Sequence, residues 1–133
     1  MEIKGVKWAE LTVHCGMGEF KSIDVEDLSK HRADAAEMHL SEDVCRTIMD
    51  AKAAGKHVCA IGTTTMRALE SAVTIPGKVF PYDGWTNKFI FPPYDFTIAD
   101  MMVSNFHHSM SSHFIMVSAF AGPELMMEAY QTA

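Results

Sequence analysis

His57-Val58-Cys59-Ala60-Ile61-Gly62-Thr63-Thr64-Thr65-Met66-Arg67-Ala68-Leu69-Glu70-Ser71 is the stretch on which the fold turns. An apolar run stops at Gly62, three threonines follow, and a helix-forming pattern begins at once. This order predicts a buried strand feeding a helix whose first amides are unpaired and point beyond the strand end. Such a turn suits an anionic group, because the orphan N–H donors and the helix dipole both favour negative charge. Arg67 lies in the first helical turn, where the dipole disfavours a cation, so it calls for an anionic partner. Two readings stay open here. Either Thr63 or Thr64 caps the helix and Arg67 pairs with Glu70 at i,i+3 spacing, or the turn holds a ligand.

Working outward, Val6 to His14 carries β-formers and reads as a strand ending in the glycine-punctuated loop Cys15-Gly16-Met17-Gly18-Glu19-Phe20. Asp24 to His31 reads as a short helix or turn, and Ala36 to Leu40 as a second strand. Ser41-Glu42-Asp43 offers an N-cap and two first-turn acids, and Val44, Ile48 and Met49 stripe a helix running toward Gly55. The middle is therefore strand-helix-strand-helix, for which parallel pairing with a right-handed crossover is the default. Pro76 to Asn87 reads as a loop of turn formers, Phe89 to Phe91 as a short strand, and Met101 to Phe106 as a buried strand followed by His107-His108. Ser111 or Ser112 caps an apolar helix from Phe114 to Ala121; Gly122 stops it and Pro123 begins a last helix. The expectation is one α/β domain over residues 1–133, with helices packed on a mixed, largely parallel sheet.

Composition narrows the function classes. The 133 residues hold 11 basic and 17 acidic side chains, a formal charge of −6, so the chain displays no basic nucleic-acid surface of its own. No Lys or Arg follows Lys88. Three scattered cysteines, Cys15, Cys45 and Cys59, form no C-x-x-C pair and suggest reduced thiols in a cytoplasmic protein. No apolar run approaches a membrane span or a signal peptide, so no membrane partner is expected.

In open α/β sheets ligands gather beyond the C-terminal ends of strands. Three groups fall at such ends: His14 with its glycine loop, Gly62 to Arg67, and Asn105-Phe106-His107. They are expected to converge on one pocket. His107, His108 and His113 match no zinc spacing, so no metal is expected. Trp85 offers a stacking surface for a base or adenine, or a lid over core.

Five segments together resemble the S-adenosylmethionine:tRNA ribosyltransferase-isomerase family of queuosine biosynthesis. They are His14 to Phe20, Ala60 to Ser71, Gly84-Trp85-Thr86, Asn105-Phe106-His107 and Val117 to Gly122, in the family's order and spacing. The resemblance implies a transferase and isomerase that moves the ribosyl group of S-adenosylmethionine, as co-substrate, onto a 7-aminomethyl-7-deazaguanine base in tRNA. Epoxyqueuosine forms, while adenine and methionine leave. It also implies that relatives carry a long N-terminal portion with a β-barrel domain and continue past Tyr130, so this chain looks like a fragment of the main domain. Exposed apolar surface left by those segments makes self-association an expectation.

A proton must leave the carbon beside the sulfonium, which needs a general base. By resemblance His14 and His107 are the catalytic candidates, with Asn105 orienting. Gly62, Thr63, Thr64 and Arg67 would bind a carboxylate or ribose hydroxyls, Glu70 would hold Arg67, and Trp85 would stack. The chain departs from the family pattern in three places. Glu19 replaces a threonine and brings charge to the presumed site, Asp34 replaces a histidine, and His108-Ser109-Met110 replaces Leu-Pro-Lys. These departures fit the alternative of a non-catalytic or repurposed paralog that binds a nucleoside-like ligand or a protein partner.

Overall fold

The computed structural model describes residues 4–133, apart from the side chains of Glu19 and Phe20. The negative charge that Glu19 was expected to bring to the site therefore lies outside the described residues. β1 (Thr12–His14) and β2 (Ala36–Leu40) pair antiparallel, with Thr12 opposite His39 and His14 opposite Glu37. In β2 Ala36, Met38 and Leu40 are buried while Glu37 and His39 face outward, the period of two that the sequence carries. β1 is shorter than the strand expected from Val6. β2 offers it no backbone beyond Leu40, because Ser41 already turns the chain into α1 (Glu42–Ala53).

The expected caps form α1. Ser41 Oγ accepts from the Val44 amide at 3.5 Å, and Arg46 reaches back to Glu42 and Asp43 at 3.3 and 3.4 Å. Gly55, at φ +65°, ends it as only glycine does without strain. Its stripe buries Val44, Cys45 and Ile48.

β3 (Cys59–Ile61) leads through Gly62 into α2 (Thr63–Ser71), as the opening stretch predicts. The crossover does not. β2 and β3 lie in different sheets, and β3 pairs instead, in parallel, with β7 (Met101–Val103). In place of the expected loop, residues 73–86 form the hairpin β4 (Val73–Ile75) and β5 (Lys78–Val79), then β6 (Tyr82–Thr86). β6 pairs antiparallel with β2, giving the order β1-β2-β6. The α/β class holds. The strands, expected in one largely parallel sheet, are instead divided among an antiparallel trio, an antiparallel hairpin and one parallel pair. Phe89–Phe91 is not a strand: Pro92 and Pro93 remove two ladder donors just beyond it, and Ile90 is buried as a core side chain.

α3 (Ser112–Ala121) and α4 (Pro123–Thr132) meet at Gly122, at φ +92°. Ser111 is the α3 cap, its Oγ accepting from the Phe114 amide at 3.1 Å. From Phe114 onward α3 is apolar nearly all round, yet only Met116, Val117 and Ser118 are fully buried. Met38, Leu40, Ile48, Met66, Leu69, Ile98 and Met116 belong to one continuous core that joins α1, α2, α3 and the trio. Burying each such side chain contributes about 1.5–3 kcal/mol.

Candidate functional site

α2 begins without a side-chain cap: its N-cap is Gly62, at φ +94° and ψ 149°, and neither Thr63 nor Thr64 fills that place. The capping reading is thereby corrected. Thr63 is instead a buried first-turn residue, and Arg67 is only 8% exposed. The Gly62 amide donates to the Val103 carbonyl at 2.7 Å, which fixes the start of α2 beside the end of β7. Two of the three expected strand ends are therefore neighbours.

Glu70 makes contacts that the sequence reading did not foresee. It is 1% exposed, and Oε1 accepts from the Thr97 and Ile98 amides at 3.0 Å each. Oε2 accepts from the Tyr94 hydroxyl at 3.1 Å and the Thr97 hydroxyl at 3.5 Å. On the other side of the same segment, Lys52 Nζ donates to the Thr97 and Ile98 carbonyls at 3.0 and 3.1 Å. A carboxylate holding two amides and an ammonium holding two carbonyls clamp residues 97–98, which lead into β7. Burial, with the adjacent Glu70 carboxylate, pushes the Tyr94 hydroxyl well above the usual phenol range.

A small cleft opens at the start of α2. Thr63, Thr64 and Arg67 line it from α2, Ser112 and His113 from the start of α3, and Lys88 from the segment after β6, over a floor of Ile90 and Met116. Two helix N-termini, which favour an anion, thus meet at one space whose wall also holds Arg67 and Lys88; the Lys88 ammonium itself lies 5.4 Å from the centre of the Tyr94 ring. Sequence reading missed Lys88, Ser112 and His113. No local pattern marks them; the first is brought in by the unforeseen β6, the others by the packing of α3 on α2.

The histidines and their neighbours divide around this cleft. The His107 ring lies 5.3 Å from that of His113, its Nε2 is 2.9 Å from Ser104 Oγ, and its amide donates to the Tyr130 hydroxyl at 2.7 Å. Burial, then the charge of His113, lowers the His107 pKa, so its imidazole is held neutral. Asn105 is exposed and its Oδ1 accepts from the next amide, of Phe106, at 2.8 Å. His14 and Trp85 do not line the cleft. They stand in one row across the outer face of the trio, His14 opposite Glu37 and Glu37 opposite Trp85, which is 63% exposed. β1 ends, β2 begins and β6 ends along one edge of that sheet, and the cleft lies just past it, between Ala33 and Lys88. The expected three-way meeting of strand tips is corrected to this: β3 and β7 end together, while the β1 tip belongs to a different sheet. Among the described residues, no group of three or more His, Cys, Asp or Glu could hold a metal ion, and no helix is long and apolar enough to cross a membrane.

Comparison with known proteins places this geometry. A family profile described as "Queuosine biosynthesis protein" matches residues 1–133. An S-adenosylmethionine:tRNA ribosyltransferase-isomerase from Phocaeicola vulgatus is 53% identical over the whole chain, which spans 38% of that relative. One of the same name from Flavobacterium psychrophilum is 50% identical over the same spans. The crystal structure of an S-adenosylmethionine tRNA ribosyltransferase from Thermotoga maritima superposes with a TM-score of 0.79 at 32% identity, covering 99% of this chain and 41% of that one. The chain thus spans about two fifths of the length of the relatives it matches. With the profile matched from end to end, this chain belongs to the queuosine biosynthesis protein family.

Proposed function

We propose that this chain is the S-adenosylmethionine-binding portion of a tRNA ribosyltransferase-isomerase, the activity named for its relatives. The observation that carries the reading is the cleft that a nearly buried Arg67, Lys88 and the first residues of α2 and α3 line together. A carboxylate is the ligand group that this set favours, and S-adenosylmethionine has one. Arg67 and Lys88 supply charge, while Thr63 and Thr64 supply hydroxyls and first-turn amides. Gly62 leaves the helix start uncovered, because it carries no side chain.

The ribosyl group then passes to a 7-aminomethyl-7-deazaguanine base in tRNA, with epoxyqueuosine, adenine and methionine as products. The sulfonium acidifies the 5′ carbon of the ribose, and a base takes that proton. His107 is the better placed of the two candidates. Its lowered pKa keeps it neutral, as a base must be, and its ring adjoins His113 in the cleft wall. Ser104, whose Oγ is 2.9 Å from Nε2, orients it. His14, Glu37 and Trp85 form a separate exposed row on which a base can stack.

Calorimetric titration with S-adenosylmethionine tests the cleft. Arg67→Ala is expected to weaken binding at least tenfold, the equivalent of about 1.4 kcal/mol. Equal affinity in both proteins would remove Arg67 from the site. Adenine release from S-adenosylmethionine and precursor tRNA, read on the longest natural form of the chain, separates turnover from binding alone.

A further inference from the structure

The segment that carries His107 runs between β7 and α3, and several of its own bonds are local. The Phe106 amide donates to Asn105 Oδ1 at 2.8 Å, and the Ser111 amide and hydroxyl donate to the His108 carbonyl at 3.0 and 2.7 Å. Such contacts shape the segment without fixing it against the rest of the fold. A bond that does so comes from α4: the His107 amide donates to the Tyr130 hydroxyl at 2.7 Å, across 23 positions of chain. The Tyr130 ring is itself held. Phe106 meets it edge-on at 4.9 Å and Phe114 of α3 at 4.8 Å, with ring planes 78° and 73° apart. No side chain of α4 is fully buried, and within it only Met126 and Tyr130, one turn apart on one face, are half-buried. α4 therefore meets the domain along a narrow stripe, and Tyr130 is the polar end of it.

We propose that Tyr130 is a positioning residue for His107: from the last turn of α4 its hydroxyl fixes the backbone at 107, so that the imidazole stays beside Ser104 and His113. The residue is then pinned at two points, its amide by Tyr130 and its Nε2 by Ser104 Oγ at 2.9 Å. Ser104 follows directly on β7, where the Val103 carbonyl accepts from the Gly62 amide at the opening of α2. One pin thus belongs to the sheet and the other to the last helix. With the α4 pin drawn, the backbone at 107 is freed and the ring swings toward water. The burial of the imidazole and its approach to His113 both depend on that placement. Tyr130 does not line the cleft, so its effect passes through His107. The consequence for turnover rests on the reading of His107 as the proton acceptor, because a group misplaced by about 1 Å can lose about a hundredfold in rate.

Tyr130→Phe deletes the hydroxyl and keeps the ring between Phe106 and Phe114, so the fold is retained. In heteronuclear NMR of this chain, the His107 amide is expected to exchange with deuterium at least about tenfold faster in the variant. The imidazole is expected to titrate closer to its ordinary value, as it gains water. Met126→Ala is the control: it trims the other half-buried contact of α4 and lowers the melting temperature, but leaves the imidazole titration where it was. An imidazole that titrates identically in Tyr130→Phe and the parent chain overturns the proposal. So does one that Met126→Ala moves as far, since the packing of α4 alone then sets it. On the longest natural form of the chain, Tyr130→Phe is expected to cut kcat for adenine release at least about tenfold, with the KM for S-adenosylmethionine within about twofold. A displaced imidazole with kcat unchanged upholds Tyr130 as the support of His107 and strikes His107 as the base, so the two readings fail separately.

Discussion

Glu70→Ala removes the acceptor for the buried Ile98 amide and the half-buried Thr97 amide at once, and its cost follows from the clamp. The Thr97 and Ile98 amides each lose a charged acceptor at 3.0 Å, and Ile98 is completely buried. Leaving a buried donor unpaired costs about 1–3 kcal/mol. The buried Ile98 donor, the half-buried Thr97 donor and the released Tyr94 hydroxyl together bring the expected loss to about 3–5 kcal/mol. That is a large share of the roughly 5–15 kcal/mol by which domains are stable. Urea denaturation followed by circular dichroism measures it. With m near about 1.5 kcal/mol/M, the midpoint is expected to fall by about 2–3 M. Glu70→Gln keeps the shape and one acceptor oxygen but turns an NH₂ donor toward donors, and it costs about 1–3 kcal/mol. A loss under about 1 kcal/mol for Glu70→Ala at unchanged m refutes the clamp, because stranding the buried Ile98 amide alone costs more than that.

Other outcomes follow from the same geometry. Gly62→Ala places a β-carbon at φ +94° with no atom within 4 Å, so its cost of about 1–3 kcal/mol is purely conformational, read as a shift of the urea midpoint. The His107 imidazole, followed by NMR, titrates below about 6.5, its unperturbed value, and moves back up in part when His113→Gln removes a neighbouring charge. Because the folded state binds that proton less readily than the unfolded one, the His107 contribution to stability is complete above about pH 6.5 and declines as pH falls through the depressed value. Tyr94 acts in the opposite sense. Its raised pKa gives a contribution that is full below about pH 10 and lost at higher pH, and Tyr94→Phe flattens that alkaline decline in denaturation series.

Much of the architecture was legible because local signals agreed with it. Ser41, Glu42, Asp43 and Gly55 bracket α1, and Ser111, Gly122 and Pro123 bracket α3 and open α4. β6 was illegible for a physical reason. The inward side of Tyr82–Thr86 carries Tyr82, Gly84 and Thr86, two of them weak apolar signals, and the segment is a strand because β2 supplies its partner. The parallel default failed for a related reason: it ranks strands by order along the chain, whereas β3 takes its partner from 40 residues downstream, the step from Ile61 to Met101. Thr63, Thr64 and Arg67 line the cleft together because they share one turn, which the sequence shows directly. Lys88 and His113 carry no such local sign, since each reaches the cleft through tertiary packing. The Glu70 contacts to residues 97–98 were not legible, because a lone carboxylate at i,i+3 from an arginine gives no sign that two distant amides will claim it.

The rung between the Gly62 amide and the Val103 carbonyl extends the ladder one step past β3 and into the helix start. Whatever draws residues 104–107 away from the sheet must lengthen that rung or carry the opening of α2 along with it. The deuterium-exchange rate of a single backbone amide, at Gly62, thereby becomes a gauge of events on a loop more than forty positions distant.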